Sequence, residues 1–203
     1  MKKENGFGYQ LARFFLSPIY KLMYHPIIIG KEYIPKKGPI IICGNHRHAF
    51  DQFPVLVSTR RTVHYMAKKE YFDGHGAWFF KLVGCIPVDR SIHDEKAKTR
   101  ALNILKNGGA IGIFPEGTRN KTIGTKDEII LLPFKFGAVS MAKKTDATIV
   151  PFGLIGDHTV KNKNLTLIFG KPFKVGNMTL EEANKLLEEK IKTLVMKAGG
   201  INE

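Results

Sequence analysis

"PIIICGNHRHAFD", residues 39–51, sets four apolar positions in a row behind a proline and then turns abruptly polar. A short apolar run bounded by a turn is the pattern of a strand buried on both faces, and such strands belong to parallel sheets covered by helices. Four more runs share the form: "CIPV" (85–88), "AIGIF" (110–114), "TIVPF" (148–152) and "LTLIF" (165–169).

Segments of helical pattern separate these runs. "HDEKAKTRALNILKNGG" (93–109) opens acidic, places Ala101, Leu102 and Leu105 on one face and stops at glycine. "TLEEANKLLEEKIKTLVMKAGG" (179–200) opens on a capping box from Thr179 to Glu182 and carries Leu180, Ala183, Leu187, Ile191, Leu194 and Val195 as a stripe. "HGAWFFKLVG" (75–84) and "LPFKFGAVSMAKKTD" (132–146) are weaker helical patterns. Strands alternating with helices predict an α/β fold: a largely parallel central sheet with helices on both faces. In such sheets the working crevice lies beyond the carboxyl ends of the strands, which is where the polar clusters fall.

Ahead of the first run, "GFGYQLARFFLSPIYKLMYHP" (6–26) repeats Phe7, Leu11, Phe14, Phe15, Ile19, Leu22 and Met23 at helical spacing, with Gln10, Arg13, Ser17 and Lys21 on the other face and Pro18 as a point of kinking. Two readings fit: an amphipathic helix lying in a membrane interface, or a helix packed on the protein's own core. The first divides the chain into a membrane-interface segment, 1–30, and a domain, 31–203.

Charge points to an anionic partner. Thirty-two Lys and Arg against 18 Asp and Glu leave a net of +14 and a pI near 9.8. Nucleic acid, an anionic membrane and phosphorylated small molecules all fit that field, as does plain solubility. The two cysteines, Cys43 and Cys85, sit singly in apolar stretches, which argues against a disulfide framework. No apolar run reaches the roughly 20 residues of a spanning helix. The expectation is a cytoplasmic chain, neither secreted nor bilayer-spanning.

His46 and Asp51 lie five residues apart, about 140° around a regular helix, so they meet only if a strand-to-helix turn folds Asp51 back. An aspartate on Nδ1 fixes the imidazole tautomer and leaves Nε2 free to take a proton from a hydroxyl. Rival readings are a metal held by His46, His48 and Asp51, a Cys43 nucleophile activated by His46, and a histidine that merely caps a turn. A second cluster, "FPEGTRN" (114–120), offers Glu116, Gly117, Thr118 and Arg119: a donor hydroxyl, a glycine that admits a ligand to the backbone and a guanidinium suited to phosphate. Beside a phosphate, Glu116 needs backbone amides, Arg119 or a substrate hydroxyl as partner. A third, "VGCIPVDR" (83–90), closes a strand with Asp89 and Arg90.

In that order the clusters resemble the motifs of the glycerolipid acyltransferase family, which includes the 1-acylglycerol-3-phosphate (lysophosphatidic acid) acyltransferases. Asn45, His46 and Asp51 match its N-H-x-x-x-x-D motif, Gly84 through Arg90 its second, "FPEGTR" its third, and "TIVP" with Pro151 its fourth, so that the resemblance runs from about residue 38 to 172. The resemblance implies His46 as general base and Asp51 as its orienting acid. Arg90 and Arg119 would hold the acceptor's phosphate, Lys68 would join them, and Glu116 with Gly117 would shape the pocket or meet the glycerol. Thr118 belongs to the same substrate-binding set, and Lys135 also matches a family position. The implied reaction moves a fatty acyl group from acyl-CoA or acyl carrier protein to the sn-2 hydroxyl of 1-acylglycerol-3-phosphate, giving phosphatidic acid, with no cofactor and no metal. The implied partners are a lysophospholipid acceptor, the acyl donor and an anionic membrane surface on the cytoplasmic face, with no nucleic acid. Another lysophospholipid, glycerol-3-phosphate, and non-catalytic binding of anionic lipid or nucleic acid stand as alternatives. His48 and Phe152 depart from the family pattern, which favours a small polar and a smaller residue there.

Overall fold

In a computed structural model, residues 6–92, 94–122, 130–160 and 164–200 are described. Residues 1–5 of the N-terminal segment, His93 at the head of its predicted helix and the last three residues of the predicted domain lie outside them. The elements in chain order are α1 (Phe7–Tyr24), β1 (Ile27–Ile29), β2 (Ile40–Gly44), α2 (Gln52–Ser58), β3 (Val63–Lys68), α3 (Ala77–Leu82), β4 (Ile86–Val88), α4 (Glu95–Lys106), β5 (Ala110–Ile113), α5 (Gly137–Thr145), β6 (Thr148–Ile155), β7 (Thr166–Phe169) and α6 (Leu180–Gly199). The strands form one sheet in the order β1-β7-β6-β2-β5-β3-β4. Every neighbouring pair is parallel except β6 with β7.

The predicted class holds: a mostly parallel sheet with helices on both faces. Alternation along β2 shows why. Ile41 and Cys43 join Ile111, Ile149 and the apolar faces of α4, α5 and α6 in one core layer. Ile40 and Ile42 join Val150, Phe152, Tyr9 and Tyr20 in the other, under α1 and α2. A central strand buried on both faces has no polar position to give, hence the unbroken apolar run.

All five predicted strands are present, with two more. β1 is a three-residue stretch paired only to β7 at the sheet edge. β3, "VHYMAK", is half-exposed along its second half, where Lys68 pairs with Val88 beyond the last residue of β3 that pairs with β5. The capping box forms: Thr179 Oγ1 accepts from the Glu182 amide at 3.1 Å, and Glu182 Oε2 accepts from the Thr179 amide at 2.8 Å. Asp94 caps α4 through the Ala97 amide at 3.0 Å.

α1 continues through Pro18, and its amphipathicity is turned outward. Gln10 and Arg13, on the polar side, face the protein. Gln10 Nε2 donates to the Arg60 carbonyl at 2.9 Å, and Arg13 Nε donates to the carbonyls of Leu56 and Thr59 at 3.2 and 2.9 Å, at the C-terminal end of α2. Gly8, Tyr9 and Tyr20 supply the buried contacts. The apolar stripe of Phe7, Leu11, Phe14, Phe15, Ile19, Leu22 and Met23 is exposed, with Phe14 at 72% and Leu22 at 74%. Packing on the protein's own core, one of the two readings of this stripe, is therefore not what the stripe does. Among the described residues no helix is long and apolar enough to cross a membrane.

Candidate active site

Parallel strands deliver the carboxyl ends of β2, β3, β4, β5 and β6 to one edge of the sheet, and the polar clusters of the sequence collect there. Gly44 ends β2 with the ring of Phe152 pressed against it, leaving no room for a Cβ there. Phe152 is fully buried, so this departure from the family pattern fills the core above Gly44. Asn45 then locks the strand end to β6, its amide donating to the Leu154 carbonyl and accepting from the Leu154 amide, both at 2.8 Å.

His46 leaves the sheet with its main chain held on both sides. Its amide donates to Glu116 Oε1 at 2.8 Å and its carbonyl accepts from the Asn120 amide at 2.7 Å. The imidazole stacks on Phe114, centroids 4.0 Å apart and planes within 12°. Nδ1 lies 2.9 Å from Asp51 Oδ2. No described residue hydrogen-bonds Nε2, and the side chain is 17% exposed.

Asp51 sits just before α2 yet makes no cap bond to it. Its carboxylate reaches back into the turn, where Oδ2 also accepts from the Arg47 amide at 2.6 Å and the His48 amide at 2.7 Å. Oδ1 accepts from His158 Nε2 at 3.0 Å. Burial pushes the carboxyl up, but hydrogen bonds from His158 and His46, then from the amides of His48 and Arg47, more than offset it and hold it at about 2. A carboxyl whose folded pKa is depressed adds stability above its unfolded value near 3.9, and that stability is lost as pH falls through the folded value. Unfolding free energy is therefore expected to drop by about 2 kcal/mol between about pH 4 and pH 2 on account of Asp51. Denaturant titrations across that window check it, since Asp51→Asn should flatten this part of the slope.

The loop after β5 is a brace as well as a site wall. Glu116 is buried, and Oε2 accepts from Asn120 Nδ2 at 3.0 Å and the Leu132 amide at 2.9 Å while Oε1 holds His46. Of the partners the sequence left open to it, Glu116 takes backbone amides, those of His46 and Leu132, with the Asn120 side chain beside them. Gly117 adopts φ +72° under the side chain of Lys135, whose Cε would stand 2.8 Å from a Cβ there. Lys135 is in this way brought to the third motif. Thr118 and Arg119 are exposed on the same loop. Lys68, at the end of β3, pairs with Glu70 at 2.7 Å, and Arg90 is exposed two residues past Val88, the register partner of Lys68.

These cationic residues share the sheet edge with His46, on separate loops. His48 lends its amide to Asp51, while its exposed ring stacks on His158 with centroids 4.7 Å apart. Its pKa is lowered, by partial burial first and by His158 second.

Sequence reasoning missed His158. Only the spacing of an acid five residues on singled out a histidine there, and the partner of His158 is 107 residues away. Cys43 is fully buried, and burial pushes its thiol far above the usual range, against a nucleophilic role. Among the described residues no three His, Cys, Asp or Glu side chains are grouped to hold a metal ion. What the pair offers chemically is an imidazole with one nitrogen fixed on a buried carboxylate and the other open at the sheet edge.

A family model described as Acyltransferase matches residues 25–155. The 1-acyl-sn-glycerol-3-phosphate acyltransferase of Borreliella burgdorferi is 33% identical over 165 residues, 80% of this chain and 64% of that protein. That of Bacillus subtilis is 31% identical over 153 residues, 71% of this chain and 72% of that protein. That of Saccharomyces cerevisiae is 31% identical over 175 residues, with 80% and 56% covered. The chain thus spans less than two thirds of two of these relatives. The crystal structure of the 1-acyl-sn-glycerophosphate (LPA) acyltransferase PlsC from Thermotoga maritima superposes with a TM-score of 0.69 over 97% of this chain and 83% of that one, at 23% identity, a likeness of fold.

Proposed function

The chain belongs to the acyltransferase family, and from that footing we propose that it acylates the sn-2 hydroxyl of 1-acylglycerol-3-phosphate, using acyl-CoA or acyl carrier protein as donor and giving phosphatidic acid. The observation that carries the reading is the His46–Asp51 pair at the sheet edge, with Nε2 open. Nε2 takes the hydroxyl proton as the oxygen attacks the thioester carbonyl. A C–O bond forms, the C–S bond breaks, and the imidazolium returns the proton to the departing thiolate. Asp51, ionised throughout, stabilises the charged ring between those steps. Arg90, Arg119 and Lys68 take the acceptor's phosphate, with Thr118 and Gly117 at the pocket wall. Purified protein supplied with 1-acylglycerol-3-phosphate and each donor in turn should release one thiol per phosphatidic acid formed. Folded protein that releases none from either donor overturns the reading.

The acceptor and product are membrane lipids, and α1 suits delivery at a surface. Gln10 and Arg13 of its polar side are spent on the protein, leaving an aromatic-rich apolar stripe outward on a chain of net charge +14. In this reading α1 lies in the anionic interface at the cytoplasmic face, and the protein is peripheral. Replacing Phe14 and Phe15 together by Ser removes two rings from that stripe, each worth about 1.5–3 kcal/mol when fully buried. Binding to phosphatidylglycerol vesicles should weaken at least about tenfold, with turnover of a short-chain, water-soluble acceptor little changed. Undiminished co-sedimentation with vesicles would move the membrane contact elsewhere.

A further inference from the structure

His158 enters from the connection after β6, and its side chain is as inaccessible as that of Asp51, 1% and 2% exposed. Nε2 lies 3.0 Å from Asp51 Oδ1, and Nδ1 lies 3.2 Å from the hydroxyl of Tyr20, on the inner side of α1. The rings of Tyr24, Phe50 and His48 stand around it. One neutral arrangement satisfies both contacts: Nε2–H donates to Asp51 and Nδ1 accepts from the phenol. Tyr20 keeps its proton, because burial first and the charge of Asp51 second push its ionisation well above the usual range.

Asp51 Oδ2 already accepts from His46 Nδ1 and two turn amides. Those contacts gather on one oxygen, and rotation about the Cβ–Cγ bond would carry it off all three donors at once. The donor on Oδ1 adds a hold on the other side of that bond, so both oxygens resist the rotation that would turn Oδ2 away from His46. We propose that His158, seated by Tyr20, is a positioning residue for acyl transfer: it clamps Asp51 so that Oδ2 stays on His46 Nδ1, and it ties the pair to α1. The inference rests on the acyl-transfer reading above for its kinetic consequence, while the geometry it asserts stands apart from any substrate.

The test compares His158→Ala, His158→Gln, His158→Asn and Tyr20→Phe in the full chain. The amide nitrogen of Gln reaches where Nε2 stands, whereas that of Asn stops near Nδ1. With His158→Ala, kcat should fall by about 10-fold to 100-fold, the size typical of outer partners that orient a reacting group, with KM for 1-acylglycerol-3-phosphate within about twofold. His158→Gln should recover most of the loss and His158→Asn should not. Tyr20→Phe should give a smaller fall in kcat of the same kind. Imidazole NMR supplies the second readout: the His46 Nδ1–H resonance should shift in His158→Ala and return in His158→Gln. A kcat for His158→Ala within about threefold of wild type, equal rates for Gln and Asn, or an unmoved His46 resonance overturns the proposal. Should His158→Ala fail to fold, the contrast of Gln with Asn decides. Should the wild type transfer no acyl group, the NMR comparison still decides the clamp, and only the reading of function falls.

Discussion

His46→Ala is expected to lower acyl transfer by about three to four orders of magnitude while leaving the protein folded, because the substitution removes the base and little of the architecture. The ring's contacts are a stack on Phe114 and one bond to Asp51. The main chain of residue 46, which carries the bonds to Glu116 and Asn120, is untouched by the change. Asp51 keeps three donors, the amides of Arg47 and His48 and the Nε2 of His158, so no buried charge is orphaned. KM for the acceptor should stay near the wild-type value, since the loss is of an interaction made in the transition state. Thiol release with saturating donor measures it, with thermal unfolding alongside. A folded His46→Ala that retains activity within about tenfold would remove His46 from the chemistry whatever the product proves to be.

A contact is legible in the sequence when its partners lie close along the chain, and illegible when only the tertiary fold brings them together. His46 and Asp51 lie within one turn, so their meeting depends on local geometry, and the strand-to-helix turn after Cys43 supplies it. Glu116 was legible as a group in need of a partner, whether amides, Arg119 or a substrate hydroxyl, but which partner was a matter of tertiary structure: one of the amides it takes is 70 residues upstream. His158 gave no signal, because its two partners lie 107 and 138 residues away. The core strands could be read because burial on both faces leaves no polar position. β3 escaped because His64 interrupts its buried half and Lys68 closes its half-exposed one, which leaves no unbroken apolar run to mark it. α1 shows a subtler limit. Periodicity groups Phe7, Leu11, Phe14 and Phe15 on one side, yet says nothing of which side meets the protein. That was decided by Gln10 and Arg13, whose targets are carbonyls near the end of α2 and just beyond it.

Glu116→Gln is expected to destabilise the fold by about 3 kcal/mol, lowering the unfolding temperature by roughly 6–12 °C for a domain of this size. Three N–H donors converge on this side chain: the His46 amide at 2.8 Å, the Leu132 amide at 2.9 Å and Asn120 Nδ2 at 3.0 Å. A carboxylate accepts on both oxygens. An amide must turn its NH2 toward one set of donors, and it keeps the most bonds by giving its oxygen to Asn120 and Leu132. The donor left facing a donor is then the His46 amide, at the point where the chain leaves β2. Release of that point should shift the imidazole against its substrate, and a displacement near 1 Å can cost about 100-fold in rate. Stability and kcat should therefore fall together, with KM for 1-acylglycerol-3-phosphate little changed. The role implied by family resemblance, contact with the glycerol, predicts the opposite split: KM rises and the unfolding temperature holds. Thermal unfolding and steady-state kinetics on the one variant distinguish them, because a brace and a ligand cannot both account for a rise in KM at undiminished stability.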